Sequence, residues 1–139
     1  MILLFHAGHL DGGWLGVDVF FVLSGFLITQ LLLVEWEREG RISLGAFWKR
    51  RARRLLPALF ALLLGVCAYA WLFAQPLEMA RIRADITATL FYVANWNAIV
   101  AGHDYWAMFR APSPLDHSWS LAIEEQFYLV WPPIVVLIL

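Results

Sequence analysis

The sequence predicts an all-α, polytopic integral membrane protein, because its apolar residues lie in long blocks. Of the 139 residues, 62% are hydrophobic and 15% are charged, whereas soluble domains carry about 25% charged residues. Most of the eight tryptophans lie near the ends of the apolar blocks, as in the aromatic belt at a membrane interface. A bundle of about four to five transmembrane helices is the fold class that follows.

The first residues predict the tail of a membrane span. Met1–Leu10 is too short to cross a bilayer, which takes about 20 residues, and it lacks the basic leader of a signal peptide. His6 is a candidate functional residue because ionisable groups are rare inside membranes; the alternative is a histidine at the lipid–water boundary. His9 follows three residues later, but no further ligands of this kind lie nearby, so no metal site is expected. The chain also stops within the apolar run 134–139, so we expect both ends to be truncated.

Trp14–Val34 is predicted to cross the membrane once. Asp18, near its start, has two interpretations that the sequence leaves open. It can lie in the first helical turn, close to water and to the positive end of the helix, or it can orient a histidine or an arginine at a reaction site.

The segment 35–54 is predicted to be a cytoplasmic basic loop, because positively charged loops stay inside. It contains seven of the ten basic residues, namely Arg38, Arg41, Lys49, Arg50, Arg51, Arg53 and Arg54. Within it, Phe47–Leu56 predicts an interfacial helix, and Pro57 is expected to start the next helix. The arginines can bind anionic lipid heads or clamp the phosphates of a nucleotide-type cofactor. Leu55–Ala74 is predicted to be a second full-length span that ends at Gln75 and Pro76.

The segment Ala84–Ala101 is ambiguous, because Asp85, Asn95 and Asn97 dilute its apolar character. It can cross the membrane or form a re-entrant element that lines a cavity. The side of the membrane on which the following helix begins is therefore left open.

The stretch Asp116–Pro133, DHSWSLAIEEQFYLVWPP, places ionisable groups directly before a strongly apolar run. The pattern predicts a helix that begins near His117 and enters a membrane. Helical spacing puts Ser120, Glu124 and Tyr128 near the face of His117. An imidazole, a hydroxyl and a carboxylate on one face indicate a reaction site.

The alternative is an ordinary helix start with Ser118 or Ser120 as N-cap. The positive end of the helix would then favour the acids at Glu124 and Glu125. That alternative accounts for the two acids but leaves His117 unexplained.

Five pieces of sequence together resemble the membrane acyltransferase 3 family, which includes O-acetyltransferases of bacterial surface polysaccharides. They are LLFHAGHL, GWLGVDVFFVLSGFLIT, FWKRRARRLLPAL, ANW and SPLDHSWSLAIEEQFYLVWPP, and they occur in the family's order over nearly the whole chain. The resemblance implies a multi-pass protein of the bacterial inner (cytoplasmic) membrane with about ten helices. Residues 1–139 would form the N-terminal part of this acyltransferase domain.

The resemblance also implies roles for individual residues. His6 falls on the first-helix histidine that is regarded as essential for acyl transfer, and its partner arginine, eleven positions earlier in the family, would precede Met1. Arg51 and Arg53 match an arginine pair thought to contact the acyl donor, which is acyl-CoA, with acetyl-CoA expected. The residues that fall on the HxWSLxxEEQFY signature are His117, Ser118, Glu124, Glu125 and Gln126.

The predicted function is transfer of an acyl group from acyl-CoA to a hydroxyl of a cell-surface carbohydrate or a lipid-linked sugar. The residues expected in catalysis are His6, Asp18, His117 and Glu124. Those expected to bind the donor are Arg50, Arg51, Arg53 and Arg54. Those expected to bind substrate are Ser118, Trp119, Ser120, Glu125 and Tyr128.

The expected partners are membrane lipids and the carbohydrate acceptor, with no metal and no nucleic acid. A transporter or flippase that moves an acyl donor or a lipid-linked sugar without chemistry is the alternative. A sensor or scaffold with a decayed site is a third, weaker interpretation.

Overall fold

The computed structural model describes residues 15–101 and 113–139, and within these ranges the regular structure is all helical. The described residues form five helices, α1 (Leu15–Glu39), α2 (Leu44–Phe73), α3 (Pro76–Leu90), α4 (Ala94–Ala101) and α5 (Ser118–Ile138). Three of them, α1, α2 and α5, are long and apolar enough to cross a membrane. The predicted class, part of a polytopic helical membrane bundle, is thereby confirmed.

The segment 35–54 is mostly helical rather than a loop. Helix α1 continues to Glu39, and α2 begins at Leu44. Gly40 ends α1 with φ of 63°, a conformation that glycine adopts at no steric cost. Its N–H donates to the carbonyl oxygen of Trp36 at 2.8 Å, which is the αL form of helix capping. The cytoplasmic position of the segment stays a prediction.

The predicted helix break at Pro57 is wrong, because α2 continues through this residue as one 30-residue helix. Phe47–Leu56 is therefore not a separate interfacial helix but the first part of a spanning one. At 1.5 Å per residue α2 is about 45 Å long, whereas the hydrocarbon core is about 30 Å thick. The excess length lets the basic half of α2, residues 44–54, extend beyond the apolar layer.

The chain forms two compact units. The first is described over residues 15–44 and 128–139, and it holds α1 and the second half of α5. Ser24, Ile28 and Leu32 form a buried stripe on α1 at helical spacing. Tyr128 and Val135 are buried on α5.

Two hydrogen bonds join the helices of this unit. The hydroxyls of Ser24 and Tyr128 share one of them, and Trp131 Nε1 donates the other to Thr29 Oγ1 at 2.9 Å. Ser24 precedes Thr29 on α1, and their partners Tyr128 and Trp131 follow in the same order on α5. Helix α1 and this half of α5 therefore run parallel.

The second unit comprises residues 45–127. Its main apolar cluster combines one face of α2 with α3 and the turn before α5. The buried members are Leu59, Leu63, Val66, Ala70, Ile82 and Leu115. The α2 members recur every three or four residues, so a single helix face is buried. The predicted break at Gln75 and Pro76 is confirmed, since α2 ends at Phe73 and α3 starts at Pro76.

The segment 84–101 is not one continuous helix. It breaks after Leu90, and Tyr92 N–H donates to Thr89 O at 3.1 Å while Val93 N–H donates to Ala88 O at 2.8 Å. This pair of bonds is a Schellman motif, which satisfies carbonyls at a helix end and requires a left-handed residue. Tyr92 takes that conformation with φ of 54°. The chain then turns back as α4.

Helices α3 and α4 therefore form a helical hairpin with Tyr92 at its tip. Asn97 on α4 donates through Nδ2 to Asp85 Oδ1 on α3 at 2.8 Å, which ties the two arms together. A single straight helix over 84–101 is thereby excluded, and the placement of the hairpin in the membrane stays a prediction.

The first half of α5 runs antiparallel to α2. Leu115, just before α5, belongs to the cluster on the apolar part of α2, whereas Glu125 interacts electrostatically with Arg51 in the basic half. His117 therefore lies toward the apolar end of α2. If the basic half of α2 is cytoplasmic, α5 begins on the outer side of the membrane.

Candidate active site

The basic half of α2 presents its arginines in two different environments. Arg50, Arg53 and Arg54 are exposed, and Arg51 is half-buried. The guanidinium carbon of Arg51 lies 5.9 Å from the ring centroid of Phe47, which is itself buried. At this distance the positive charge is attracted to the negative face of the ring, which is a cation–π contact. The packing therefore orients the Arg51 side chain against the ring of Phe47.

The signature acids lie in the second turn of α5 and beyond, where the helix begins to be covered. Glu124, Glu125 and Gln126 are all partly buried. Glu125 Oε1 is inaccessible to water and accepts no hydrogen bond from any residue that the structure describes. A buried carboxylate oxygen without a hydrogen-bond donor is costly. A hydrogen bond from a group outside the described residues would lower that cost.

Arg51 and Glu125 lie close enough to interact electrostatically, although they are distant in sequence. The Glu125 carboxylate interacts electrostatically with the Arg51 guanidinium and with the Glu124 carboxylate. A cation beside two acids compensates their mutual repulsion, and in a weakly polar setting this compensation is stronger than in water. The packing of α5 against α2 therefore joins two of the motifs singled out in the sequence.

The tip of the hairpin formed by α3 and α4 approaches the same acid. Burial, and secondarily the Glu125 carboxylate, raise the pKa of Tyr92 above its usual value. Tyr92 lies outside the three candidate spans, and its phenol stays protonated at neutral pH. Its hydroxyl is therefore a hydrogen-bond donor near Glu125.

Gln126 fixes the hairpin tip to α5. Its Nε2 donates to the carbonyl oxygen of Tyr92 at 2.7 Å and to Asn95 Oδ1 at 3.0 Å. Asn95 Nδ2 returns a bond to Gln126 Oε1 at 3.3 Å. Small residues allow this approach, since Ala88, Ala94 and Ala122 are buried together.

A polar cleft lies between α3, α4 and the start of α5. Its volume is about 160 Å³. The polar and aromatic side chains that line it are those of Arg81, Asp85, Asn97, Asp116, Ser118 and Trp119. Among the described residues, this is where the predicted substrate-binding residues Ser118 and Trp119 face a cavity.

Ion pairs and hydrogen bonds hold the walls of the cleft. Arg81 donates from a terminal nitrogen to Asp116 Oδ1 at 2.8 Å, and its Nε lies 3.7 Å from Asp85 Oδ2. Asp116 also accepts the backbone N–H of Ser113 at 2.8 Å, which closes the turn before α5. Ser118 Oγ donates to Leu115 O at 2.7 Å. These bonds connect α3 to the entrance of α5.

The two serines at the start of α5 do not act as N-caps. Ser118 is the first residue of the helix, and its hydroxyl lies 2.9 Å from Thr89 Oγ1. Ser120 lies inside the helix, and its Oγ donates to His117 O at 3.3 Å. Both hydroxyls form local or interhelical hydrogen bonds. The interpretation of this stretch as a helix start capped by one of these serines is therefore not supported.

The remaining predicted residues are dispersed. His117 is exposed and directly precedes α5, while Asp18 is exposed in the first turn of α1. Tyr128 is 3% exposed and bonds to Ser24. His6 lies outside the described residues. The sequence missed Arg81 as a site residue, although its spacing of four from Asp85 is the pattern of a helical ion pair.

Comparisons with known proteins match nearly the whole chain. Residues 8–139 match the family described as an acyltransferase domain. The peptidoglycan O-acetyltransferase OatA of Listeria monocytogenes serovar 1/2a is 48% identical over 128 residues, covering 92% of this chain and 20% of that protein. The O-acetyltransferase OatA of Staphylococcus aureus strain NCTC 8325 is 46% identical over 140 residues, covering 99% of this chain and 23% of that protein.

The chain spans about a fifth of the length of these two curated relatives. No solved structure matches it.

Proposed function

Because this chain belongs to the acyltransferase domain family, we propose that the protein is a membrane-bound O-acyltransferase. In the proposed reaction an acyl group, namely an acetyl group, is transferred from acyl-CoA to a hydroxyl of a cell-surface carbohydrate. The printed name of the Listeria relative makes peptidoglycan the first acceptor to test. A lipid-linked sugar is the second.

One observation carries the proposal at the level of residues. The electrostatic interaction between Arg51 and Glu125 indicates that the arginine-rich segment of α2 lies near the signature of α5. Acyl transfer needs a held donor, a base and donors for the oxyanion in one place. A contact between these two segments supports that assembly.

The roles follow from the chemistry of each group. His6 takes the proton of the acceptor hydroxyl, or accepts the acyl group transiently, because the pKa of an imidazole is near neutrality. The hydroxyl oxygen attacks the thioester carbonyl, the C–O ester bond forms, and the C–S bond breaks. The coenzyme leaves as a thiolate, which takes up the proton. Glu124, Asp18 or His117 orients the base or the acceptor.

Arg51 and Arg53 hold the phosphates of the coenzyme, with Arg50 and Arg54 in support. A guanidinium binds phosphate oxygens with two parallel hydrogen bonds. The exposure of Arg50, Arg53 and Arg54 also suits anionic lipid heads at the inner surface. On the acceptor side we assign Ser118, Trp119, Ser120 and Glu125.

The protein is placed in the bacterial inner membrane as a multi-pass protein. Its basic half of α2 faces the cytoplasm, where acyl-CoA is made, and the start of α5 faces the carbohydrate outside. This arrangement requires that an acyl group, donor or intermediate pass between the two sides within the bundle.

The test is transfer of labelled acetyl from acetyl-CoA to isolated glycan by membrane vesicles that contain the protein in full. Wild-type vesicles should label the glycan, and His6→Gln vesicles at equal expression should not. Label that crosses the membrane without forming an ester would identify a transporter and overturn the proposal. Retained transfer by His6→Gln would remove the role of His6.

The donor assignment has its own test. Charge reversal at Arg51 and Arg53 should raise the KM for acetyl-CoA and leave the KM for the acceptor unchanged. An unchanged donor KM would return these arginines to lipid anchoring.

A further inference from the structure

The cleft between α3, α4 and α5 has a composition that selects its ligand. It contains one guanidinium, from Arg81, and two carboxylates, from Asp85 and Asp116. Both carboxylates lie against that guanidinium, at 3.7 Å and 2.8 Å. Because negative charge exceeds positive charge, the cleft disfavours the phosphates of a coenzyme. A neutral or cationic polar ligand is favoured.

The cleft also has an acceptor group to offer. Asp85 Oδ2 is inaccessible to water and makes no hydrogen bond to the residues described by the structure, and the side chain is only 15% exposed. Its second oxygen is already occupied by Asn97 Nδ2 at 2.8 Å. Arg81 Nε pairs with Oδ2 only at 3.7 Å, so a ligand hydroxyl that displaces this guanidinium would give Oδ2 the hydrogen bond that it lacks.

The size and the remaining wall limit the ligand further. A volume of about 160 Å³ equals the liquid volume of about five water molecules. It is smaller than the roughly 300–1,000 Å³ of sites for drug-sized ligands, so it fits one ring rather than a chain. Trp119 lines the cleft with an indole that is 39% exposed. An indole gives a flat apolar surface for the C–H face of a sugar ring.

The position agrees with an acceptor from outside the cell. The cleft is built at the start of α5, which lies toward the apolar end of α2 and away from Arg51. With the basic half of α2 in the cytoplasm, this end is the outer one. Surface glycans approach from that side, whereas acyl-CoA does not.

We propose that the cleft between α3, α4 and α5 binds one sugar ring of the carbohydrate acceptor, with Asp85, Asn97 and Trp119 as its recognising groups. This inference rests on the proposed function and adds a location for the acceptor. Arg81 and Asp116 are positioning residues, since their ion pair fixes α3 to the turn before α5.

The experiment measures binding without chemistry. The purified protein in full, in lipid nanodiscs, is titrated calorimetrically with the disaccharide repeat released from cell-wall glycan and, separately, with CoA. Asp85→Asn replaces the acceptor oxygen, and Asn97→Ala removes a neighbouring amide without changing any charge. Thr87→Ala, an exposed position on the same helix, is the matched control.

Both cleft variants should weaken disaccharide binding about tenfold and leave CoA binding unchanged, while Thr87→Ala changes neither. Thermal unfolding of each variant verifies that it is folded. If Asp85→Asn unfolds because it loses the ion pair with Arg81, Asn97→Ala still tests the cleft, since it leaves that ion pair in place. Wild-type protein that fails to bind the disaccharide, or cleft variants that bind it normally, would overturn the proposal. If wild-type protein still transfers acetyl in that case, the proposed function stands and only the acceptor location fails.

Discussion

At the scale of single residues, the central feature is the pairing of Glu125 with Arg51. One oxygen of Glu125 is buried and lacks a hydrogen bond from the described residues, and the Arg51 guanidinium offsets part of the cost of burying this carboxylate beside Glu124. A carboxylate in this setting can hold a hydroxyl or a proton in place. The effect of Glu125 on acyl transfer is therefore expected to depend on Arg51, and the effect of Arg51 is expected to depend on Glu125.

This dependence predicts a non-additive double-mutant cycle. Arg51→Gln and Glu125→Gln should each lower acyl transfer at least about tenfold, or ~1.4 kcal/mol. The double variant should be no worse than the more damaging single one, because groups in contact couple by about 0.5–3 kcal/mol. Lys49→Gln, exposed in the same segment, should transfer normally. Fully additive losses would contradict a shared role.

Tyr128 offers a second residue-level prediction. Its hydroxyl bonds to Ser24 inside the first unit, and interhelical hydrogen bonds in membrane proteins contribute only about 0.6 kcal/mol on average. Tyr128→Phe should therefore lower the free energy of unfolding by about 0.6 kcal/mol and leave the acceptor KM unchanged. A raised acceptor KM at normal stability would instead favour the substrate-binding role predicted from the sequence.

At the scale of elements, the hairpin of α3 and α4 determines the site. Its tip is a Schellman turn whose left-handed position is occupied by Tyr92 rather than glycine. Gln126 of α5 bonds to the carbonyl oxygen of that residue. The strained turn is thus held by a neighbouring helix, and its position fixes both the polar cleft and the surroundings of Glu125.

The strain at Tyr92 can be measured with a matched pair of variants. Tyr92→Gly and Tyr92→Ala both remove the ring, but only glycine adopts φ of 54° freely. Tyr92→Gly should therefore be more stable than Tyr92→Ala by about 1–2 kcal/mol in chemical denaturation. Equal stability, or a more stable alanine variant, would show that the turn is not left-handed.

The hairpin also shows where sequence reasoning stopped. The spans of α1, α2 and α5 are local features of apolar length, so they could be predicted. The turn at Tyr92 has neither glycine nor proline to signal it. At Pro57 the sequence signals a helix boundary that the structure does not have. Proline marks a probable boundary, but a long apolar helix can continue through it. The contact of Arg51 with Glu125 depends on tertiary packing, which no local pattern encodes.

At the scale of the whole molecule, the arrangement predicts a topology. The basic half of α2 is expected inside, and the antiparallel start of α5 outside. In a Cys67→Ala background, which removes the single cysteine, Lys49→Cys and Pro114→Cys place reporters at exposed positions. A membrane-impermeant thiol reagent should label Pro114→Cys in intact cells and Lys49→Cys only after permeabilisation. The reverse pattern would invert the assignment of donor and acceptor sides.

The central claim, that this chain belongs to an enzyme that O-acylates surface carbohydrate, is tested most directly by mass spectrometry of cell-surface glycans. Cells lacking the protein are compared with cells that carry the wild type, His6→Gln or Glu125→Gln in full at matched expression. The glycans should lose O-acetyl esters on deletion, and only the wild type should restore them. Unchanged O-acetylation after deletion, or full restoration by both variants, would contradict the claim.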